Sequence, residues 1–308
     1  MHDNGECEMT RFDKRSTAED VTDGIDLVGR HAIVTGANTG IGIETARVLA
    51  LRGAEVTLAC RDLAKGRAAR ELVARQPGVS DDAVRLQQLD LASLGSVRAA
   101  SRDLLASSRP IHLLINNAGV MLPDRRETQD GFEAHLGTNH LGHFLLTDLL
   151  LERIRASAPA RIIAVSSSAL QFATLEPELE DLNWETRKFS GWRAYGDSKL
   201  MNVLFARELS RRLAGEGVVA HALHPGIVKT ELGRDQGWGM RFAGIFMRAL
   251  MKHPNRGAAT TLYAATAPQL AAEGGGYFAD CAPSRAGKRA EDRTLSQVLW
   301  KRSEELTS

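Results

Sequence analysis

Tyr195 and Lys199 are the two residues whose types and spacing most directly suggest acid–base chemistry. They are four positions apart, so on a helix they share one face. A phenol has a reference pKa of about 10, and a fixed ammonium group nearby lowers that pKa toward neutrality. The pair therefore predicts a tyrosine that gives or takes a proton, activated by a lysine. A structural surface helix is the alternative, so the pair needs support from the rest of the chain.

A glycine-rich turn, Thr35-Gly-Ala-Asn-Thr-Gly-Ile-Gly42, supplies part of that support. It follows a short apolar run and precedes a helical pattern, which is the setting of a dinucleotide-binding turn. Gly36 would permit the tight turn, and Gly40 would let a pyrophosphate approach the positive end of the helix. Gly42 would allow that helix to pack closely on the sheet. The spacing is Gly-x-x-x-Gly-x-Gly and not the Gly-x-Gly-x-x-Gly of other dinucleotide enzymes. Glycines that serve only the strand-to-helix turn are the alternative.

Strand and helix patterns alternate along the chain. The predicted strands are His31–Thr35, Glu55–Cys60, Val84–Gln88, Ile111–Ile115, Arg161–Ser166 and Val218–Leu223. The predicted helices are Ile41–Arg52, Leu63–Arg75, Leu94–Ser107, Phe132–Arg155 and a helix that carries Tyr195 and ends near Ala214. Such alternation indicates an α/β fold of the Rossmann type, a doubly wound parallel β-sheet with helices on both faces.

One domain is expected, because α/β folds of about this length commonly form a single unit. We assign it to residues 27–281, between an N-terminal arm, 1–26, and a C-terminal tail, 282–308. In the arm, Ser16-Thr-Ala-Glu19 is a candidate capping box for a short helix.

The composition excludes several classes of protein. A net charge of +1 without a basic run gives no reason to expect nucleic-acid binding. Three separated cysteines suggest neither a disulfide framework nor a zinc site, and His140, His143 and His221 show no ligand-like clustering, so no metal is expected. The chain shows no apolar signal segment and no membrane-spanning run. We expect a cytoplasmic protein.

Further motifs occur in a characteristic order around these two. They are Asp90-Leu91, Asn116-Asn-Ala-Gly119, Asn139, Ser166-Ser-Ser168 and Pro225-Gly226. In this order the chain, from roughly residue 27 to residue 280, resembles the short-chain dehydrogenase/reductase family. Two further stretches, Ala59-Cys-Arg-Asp62 and Thr138-Asn-His-Leu-Gly-His-Phe144, are similar to the retinol-dehydrogenase-like and WW-domain-oxidoreductase-like branch.

The resemblance implies four catalytic residues. Tyr195 would be the acid/base, and Lys199 would bind the nicotinamide ribose and keep the pKa of Tyr195 low. Ser167, with Ser168 as the alternative, would hydrogen-bond the substrate oxygen and stabilise its developing charge. Asn139 would hold a water molecule in a proton relay, unless its amide only bonds to backbone.

The resemblance also implies a set of cofactor contacts. Asp90 would bond the adenine amino group, with a helix N-cap as its alternative role. The Asn116–Gly119 turn would lie along the adenosine side. The whole set comprises Gly36, Asn38, Thr39, Gly40, Ile41, Gly42, Arg61, Asp90, Leu91, Asn117, Ala118, Gly119, Tyr195, Lys199, Pro225, Gly226, Val228 and Thr230.

Cofactor choice depends on the end of the second strand. Members that prefer NAD place a carboxylate there, and this chain has Cys60 followed by Arg61. An arginine can pair with the 2′-phosphate of NADP(H), which we therefore expect over NAD(H). Asp62 offsets part of that charge, and Thr39 stands where some NADP-using relatives carry a basic residue. A surface arginine without a ligand role is the alternative.

The segment from about residue 230 to residue 256 is rich in large apolar residues and glycine. It resembles the mobile lid that covers an apolar substrate in relatives. Arg241, Arg248 and Lys252 would instead suit a membrane surface, an alternative we do not favour, and an ordinary packing helix is a third interpretation.

These observations predict an NADP(H)-dependent oxidoreductase acting on the CH–OH group of a hydrophobic alcohol, or on its carbonyl, of retinoid, steroid or aromatic type. A dinucleotide-binding scaffold or redox sensor without turnover is the alternative. A nucleotide-sugar epimerase is less favoured, because its Gly-x-x-Gly-x-x-Gly turn is missing. By resemblance, a homo-oligomer, dimer or tetramer, is expected through the helices near 132–155 and 195–214, unless the arm or tail changes it.

Overall fold

The computed structural model of the chain describes residues 12–226 and 252–308. Its strands are β1 His31–Thr35, β2 Glu55–Cys60, β3 Val84–Gln88, β4 Leu113–Asn116, β5 Ala160–Val165, β6 Val218–His224, β7 Tyr277–Ala279 and β8 Ala282–Pro283. They form one sheet in the order β3-β2-β1-β4-β5-β6-β7-β8. All neighbours are parallel except β8, which runs antiparallel to β7.

Helices cover both faces of this sheet. They are α1 Gly40–Leu51, α2 Leu63–Ala74, α3 Leu94–Ala106, α4 Gly142–Arg155, α5 Gly191–Arg212, α6 Pro254–Thr266 and α7 Arg293–Thr307. One core packs α3, α4, α5 and α7 on the sheet, and a second packs α1, α2 and α6 on the opposite face. The predicted doubly wound parallel sheet is therefore confirmed.

Two predicted elements need correction. The strand predicted at Ile111–Ile115 is observed at Leu113–Asn116. The helix predicted at Phe132–Arg155 is not one regular α-helix, because a π-helix, Leu136–Leu141, precedes α4. A π-helix adds one residue to a turn, and such segments often occur at functional sites. This one contains Asn139.

The described part of the N-terminal arm contains a capping motif one residue later than predicted. Thr17 and Asp20 cap one another: the Thr17 N–H donates to Asp20 Oδ2 (2.8 Å), and the Asp20 N–H donates to Thr17 Oγ1 (3.2 Å). The short 3₁₀-helix Asp20–Thr22 follows. The Ala18 N–H donates to both the carbonyl and the side chain of Asn255, which ties this part of the arm to α6.

The segment assigned to a C-terminal tail contains helix α7, which the sequence analysis did not predict. Asp292 caps α7 by accepting the Leu295 N–H (3.0 Å). The Trp300 ring packs against Phe144 of α4, with centroids 5.0 Å apart, and stacks on Phe205 of α5 at 5.9 Å. The tail is thus part of the core. Helix α6 and strands β7 and β8 are likewise not predicted from the sequence.

Within residues 12–226 and 252–308, no helix combines the length and the apolarity that crossing a bilayer requires.

Candidate active site

The predicted motifs converge at the carboxyl edge of the sheet. β1, β4 and β5 are neighbours, and their last residues are Thr35, Asn116 and Val165. Ligands of open α/β sheets bind outside this edge, where the strand order reverses. Here the reversal lies between β1 and β4, so the glycine-rich turn and the Asn116–Gly119 turn meet there.

The Thr35 hydroxyl joins these two turns. It accepts the N–H groups of Asn117 (2.9 Å) and Ala118 (3.0 Å), while Asn117 Nδ2 donates to the Thr35 carbonyl (2.8 Å). The Thr35 Oγ1 also lies 2.8 Å from His143 Nε2, and His143 Nδ1 lies 3.1 Å from the Asn139 carbonyl. A carbonyl only accepts, so we assign the imidazole proton to Nδ1. Burial lowers the pKa of His143 to about 4, which keeps the ring neutral.

Glycines at the first turn allow it to pack closely against the second. Gly36 and Gly40 have φ values of +64° and +58°, a region that favours glycine. A Cβ atom on Gly42 would lie 2.6 Å from Asn117 Nδ2 and also overlap the Gly36 carbonyl. A side chain at Gly42 would thus collide with the two turns, whereas the sequence predicted that Gly42 lets the helix pack on the sheet. The Thr39 side chain does not cap α1, so it satisfies none of the first N–H groups of that helix.

Tyr195 is almost fully buried, with 7% of its surface exposed. Burial raises the pKa of its phenol to about 12, and a hydrogen bond with Ser167 acts in the opposite direction. The sequence-based expectation of a lowered pKa is therefore wrong for the protein's own groups, because desolvation of the phenolate outweighs the hydrogen bond with Ser167. The Lys199 ammonium lies 5.5 Å from the centroid of the Tyr195 ring, so the expected proximity is observed.

Lys199 is buried as well, and burial lowers the pKa of its ammonium to about 8. Its Nζ donates to the Val165 carbonyl at the end of β5 (3.1 Å). A Cβ atom on Gly119 would lie 3.4 Å from this Nζ and 3.2 Å from Asn139 Oδ1. Gly119 thus leaves room for the ammonium group beside the second turn.

The three consecutive serines have different environments. Ser167 is partly exposed and bonds to the Tyr195 phenol, whereas Ser168 is exposed and its N–H donates to His224 Nδ1 (3.1 Å). Ser166 is buried, and its hydroxyl donates to the Lys199 carbonyl (2.6 Å). The geometry favours Ser167 over Ser168.

The Asn139 side chain bonds mainly to backbone, which was its alternative interpretation. Its Oδ1 accepts the Val120 N–H (2.7 Å), and its Nδ2 donates to the Val120 carbonyl (3.0 Å) and to Ser198 Oγ (3.0 Å). Both amide protons are therefore used. A water relay through Asn139 stays a prediction.

An exposed arginine follows the end of β2. Cys60 is buried, and burial raises the pKa of its thiol to about 11. Arg61 is exposed, whereas the Asp62 carboxylate accepts the Ala64 N–H (2.9 Å) and the Lys65 N–H (3.1 Å) and so caps α2. The Asp62 carboxylate thus bonds to the helix, and its charge still interacts with that of Arg61, as the sequence suggested.

Some of the remaining predicted cofactor residues are described by the structure, and others lie outside the described residues. Asp90 Oδ1 accepts the Ala92 N–H (3.0 Å), and Ser93 rather than Asp90 caps α3, so the alternative N-cap role of Asp90 is wrong. Gly226 has a φ of +88° and lies against the Lys252 side chain. Val228, Thr230 and most of the predicted lid lie outside the described residues.

Sequence reasoning missed Asp197, which lies between Tyr195 and Lys199. Its buried carboxylate accepts the Thr174 N–H and pairs with Arg187 at 3.0 Å. Burial raises the pKa of Asp197, while these partners act to lower it. An acidic residue in a helix buried on every side from Ala194 to Ala206 is the signal that could have revealed it. Glu133 and His135 were missed too, and no sequence period marks them.

In the part of the chain that the structure describes, no group of three or more histidine, cysteine or acidic residues could hold a metal ion. His140 and His221 are buried, and burial lowers the pKa of each, to about 3 for His140.

Comparisons with known proteins agree with this geometry. The family model for short chain dehydrogenases matches residues 30–176. Retinol dehydrogenase 12 of Homo sapiens is 45% identical over 282 residues, which cover 92% of this chain and 87% of that protein. Short-chain dehydrogenase TIC 32 A, chloroplastic, of Brassica napus is 40% identical and covers 96% of this chain and 94% of its own length.

A solved structure of an uncharacterized protein from Mycobacterium paratuberculosis has a TM-score of 0.74 and 38% identity, covering 93% of this chain and 96% of its own. The extent of these matches confirms the resemblance that the motifs indicated. The chain belongs to the short-chain dehydrogenase/reductase family, in its retinol-dehydrogenase-like branch, and is an oxidoreductase.

Proposed function

We propose that this protein is an NADP(H)-dependent oxidoreductase that interconverts a hydrophobic alcohol and its carbonyl, with Tyr195 as the acid/base. One observation carries the proposal. A buried phenol bonds to the Ser167 hydroxyl and lies beside the Lys199 ammonium, at the edge of the sheet where a dinucleotide would bind. The proton donor, a hydroxyl that can hydrogen-bond the substrate and a cation thus lie next to one another.

The protonation states suit carbonyl reduction at neutral pH. Tyr195, with a pKa of about 12, keeps its proton and can donate it to the substrate oxygen as negative charge develops there. Ser167 would hydrogen-bond the same oxygen. Lys199, with a pKa of about 8, is still a cation and favours the phenolate that forms. A bound nicotinamide would supply or accept the hydride.

The residues present fit a dinucleotide. The bare glycine turn and the uncapped start of α1 would hold the pyrophosphate, with Asn38, Thr39 and Ile41 beside it. Exposed Arg61 would pair with a 2′-phosphate. Asp90 and Leu91 would lie near the adenine, and Pro225 and Gly226 near the nicotinamide. These roles, like those of Val228 and Thr230, are part of the proposal.

The substrate class is supported by a cavity with two aromatic side chains and by one of the relatives named above, retinol dehydrogenase 12. The cavity has a volume of about 560 Å³ and is lined by Gln171, Phe172, Ala173, Thr174, Ser190, Trp192 and Arg193. Phe172 and Trp192 are 52% and 48% exposed and meet edge to face at 6.3 Å. Ser167 and Tyr195 are not among the lining residues. The cavity lies beside the segment that follows Ser167 and beside the first turn of α5, which carries Tyr195, so it would hold the part of a long apolar substrate remote from its reacting oxygen. A retinoid has that shape.

Substitution of Tyr195 by phenylalanine tests the acid/base role. Loss of reduced-cofactor absorbance would be followed with NADPH and with NADH, against retinal, a steroid ketone and an aromatic aldehyde. We expect turnover with NADPH on at least one carbonyl, and a loss of about 100-fold or more in Tyr195→Phe, because a positioned general acid contributes at least that much. NADPH binding, measured by fluorescence, should persist.

Tyr263→Phe is the matched control, because Tyr263 is also a buried tyrosine but lies in α6 and bonds to Gln269. Its turnover should equal that of the wild type. Wild-type turnover in Tyr195→Phe would overturn the mechanism. NADPH binding without turnover on any carbonyl would favour the scaffold or redox-sensor alternative. The lid, the cytoplasmic location and the homo-oligomer stay predictions.

A further inference from the structure

Glu133 and His135 form a buried acid–imidazole pair beside the proposed proton donor. They are 1% and 0% exposed. One carboxylate oxygen of Glu133 lies 2.7 Å from His135 Nδ1, and the other accepts the N–H groups of His135 and Leu136, each at 2.9 Å. The carboxylate is thus held by three hydrogen bonds at the start of the π-helix.

The partners of His135 determine its tautomer. Its Nε2 accepts the Leu122 N–H (2.8 Å), so that nitrogen carries no proton. We therefore assign the ring proton to Nδ1, where it is donated to Glu133. Both nitrogens are occupied, and the ring is neutral. His135 has no proton to give to a substrate, so its contribution must be through position.

His135 lies between Tyr195 and the segment that follows the second turn. Its ring meets the Tyr195 ring edge to face, with centroids 6.0 Å apart and an angle of 67° between the planes. Two residues of the segment are held by side chains of the same helical region, Leu122 by His135 and Val120 by Asn139. Gly191, at the start of α5, packs closely against the Leu122 and Pro123 carbonyls.

We propose that His135, oriented by Glu133, is a positioning residue for the Tyr195 proton donor. Its ring fixes the tilt of the phenol, and its Nε2 fixes the Val120–Pro123 segment beside α5. This inference rests on the proposed acid/base role of Tyr195. A misplacement of about 1 Å can cost roughly 100-fold in rate, so a neighbour that sets the ring angle matters to the reaction.

Three substitutions of His135 separate its contacts. His135→Leu keeps approximate size but removes both hydrogen bonds. His135→Gln offers an oxygen near the position of Nε2, so it can still accept the Leu122 N–H. His135→Asn offers a nitrogen near the position of Nδ1, so it keeps the hydrogen bond to Glu133 and loses the one from Leu122. The matched control is His221→Leu, since His221 is equally buried and meets Phe278 edge to face at 5.3 Å.

Steady-state kinetics with NADPH and the carbonyl found above give the first measurement. We expect kcat/KM to fall about tenfold or more in His135→Leu and His135→Asn, with the NADPH Kd unchanged, since the proton donor alone is displaced. His135→Gln should recover to within about threefold of the wild type, and His221→Leu should match the wild type even if its Tm falls. A wild-type kcat/KM in His135→Leu would overturn the proposal, as would a His135→Gln variant as slow as His135→Leu.

The second measurement does not depend on turnover. The chain has three tyrosines, so 3-fluorotyrosine labelling gives three ¹⁹F resonances, and Tyr195→Phe identifies one of them. In His135→Leu the Tyr195 resonance should shift or broaden, while those of Tyr263 and Tyr277 stay in place. An unchanged Tyr195 resonance would overturn the positioning role whatever the activity. A perturbed resonance in a protein that has no turnover would support the contact and overturn only the proposed function.

Discussion

At the scale of single residues, the charge at the end of β2 decides how the proposed site would tell NADPH from NADH. Arg61 is exposed, and the neighbouring Asp62 carboxylate is engaged by two N–H groups of α2. A helix amino terminus stabilises a carboxylate, so the capping position of Asp62 is favoured over an ion pair with a surface arginine. The Arg61 guanidinium is thus available for a phosphate.

Arg61→Ala should weaken NADPH use specifically. A hydrogen bond to a charged group contributes about 1.5–3 kcal/mol, so kcat/KM for NADPH should fall by roughly 10- to 100-fold while that for NADH is little changed. Arg67→Ala, which removes another exposed arginine of α2, is the control and should leave both values unchanged. Equal losses with the two cofactors in Arg61→Ala would contradict the assignment to the 2′-phosphate.

At the scale of elements, the cofactor edge is held together by short polar links between two turns. The Thr35 hydroxyl connects the glycine-rich turn, the Asn116–Gly119 turn and His143 of α4. Close approach of the turns requires that Gly42 carry no side chain, because the atoms that a Cβ would meet belong partly to backbone. The turns therefore have little freedom to adapt to a larger residue.

Gly42→Ala should separate the two turns. Since the Gly36 carbonyl cannot move without breaking the turn, we expect a loss of NADPH affinity of at least about tenfold and a stability loss of about 1–3 kcal/mol, measured by fluorescence titration and urea unfolding. Gly95→Ala is the control, because a Cβ there meets only Ser93 Oγ at 3.7 Å. It should be neutral or slightly stabilising, since alanine favours a helix. Normal NADPH affinity in Gly42→Ala would show that cofactor binding does not require a bare Gly42.

At the scale of the whole molecule, buried neutral histidines tie separate elements together. His140 Nε2 lies 2.8 Å from Ser303 Oγ and joins the π-helix to α7. Helix α7 also packs Trp300 on α4 and α5. The predicted oligomer would use the faces of those two helices, and α7 covers part of that surface.

Acid should destabilise the fold through these histidines. Burial lowers the folded-state pKa to about 3 for His140 and about 4 for His143, below the ordinary value of about 6.5. Between these values the unfolded chain binds more protons, so stability is full above about pH 6.5 and falls as the pH drops below it. Each histidine contributes a slope of about 1.4 kcal/mol per pH unit, measured by urea unfolding from pH 8 to pH 4.5.

His140→Leu should reduce that slope by the contribution of one histidine. The control is His253→Leu, which removes an exposed histidine and should leave the slope unchanged. An unaltered slope in His140→Leu would show that His140 is protonated to the same extent in the folded and unfolded chains.

The sequence by itself determined the class of fold and the family. Periodic patterns report helices and strands because they reflect which face of an element is buried, and βαβ connections allow few sheet topologies. The spacing of Tyr195 and Lys199 and the order of the motifs pointed to the same carboxyl edge. Helix α7 was not predicted, because many of its residues are charged. Its apolar stripe, around Leu295, Leu299 and Trp300, is narrow.

Only the tertiary structure decided the environment of each group. The pKa of Tyr195 rises rather than falls because segments remote in sequence bury the phenol. The choice of Ser167 over Ser168, the capping role of Asp62 and the contact of His135 with Tyr195 depend likewise on partners brought together by folding. Local sequence determines which groups are present, whereas burial and hydrogen-bond partners, which set their protonation and orientation, arise from packing across the chain.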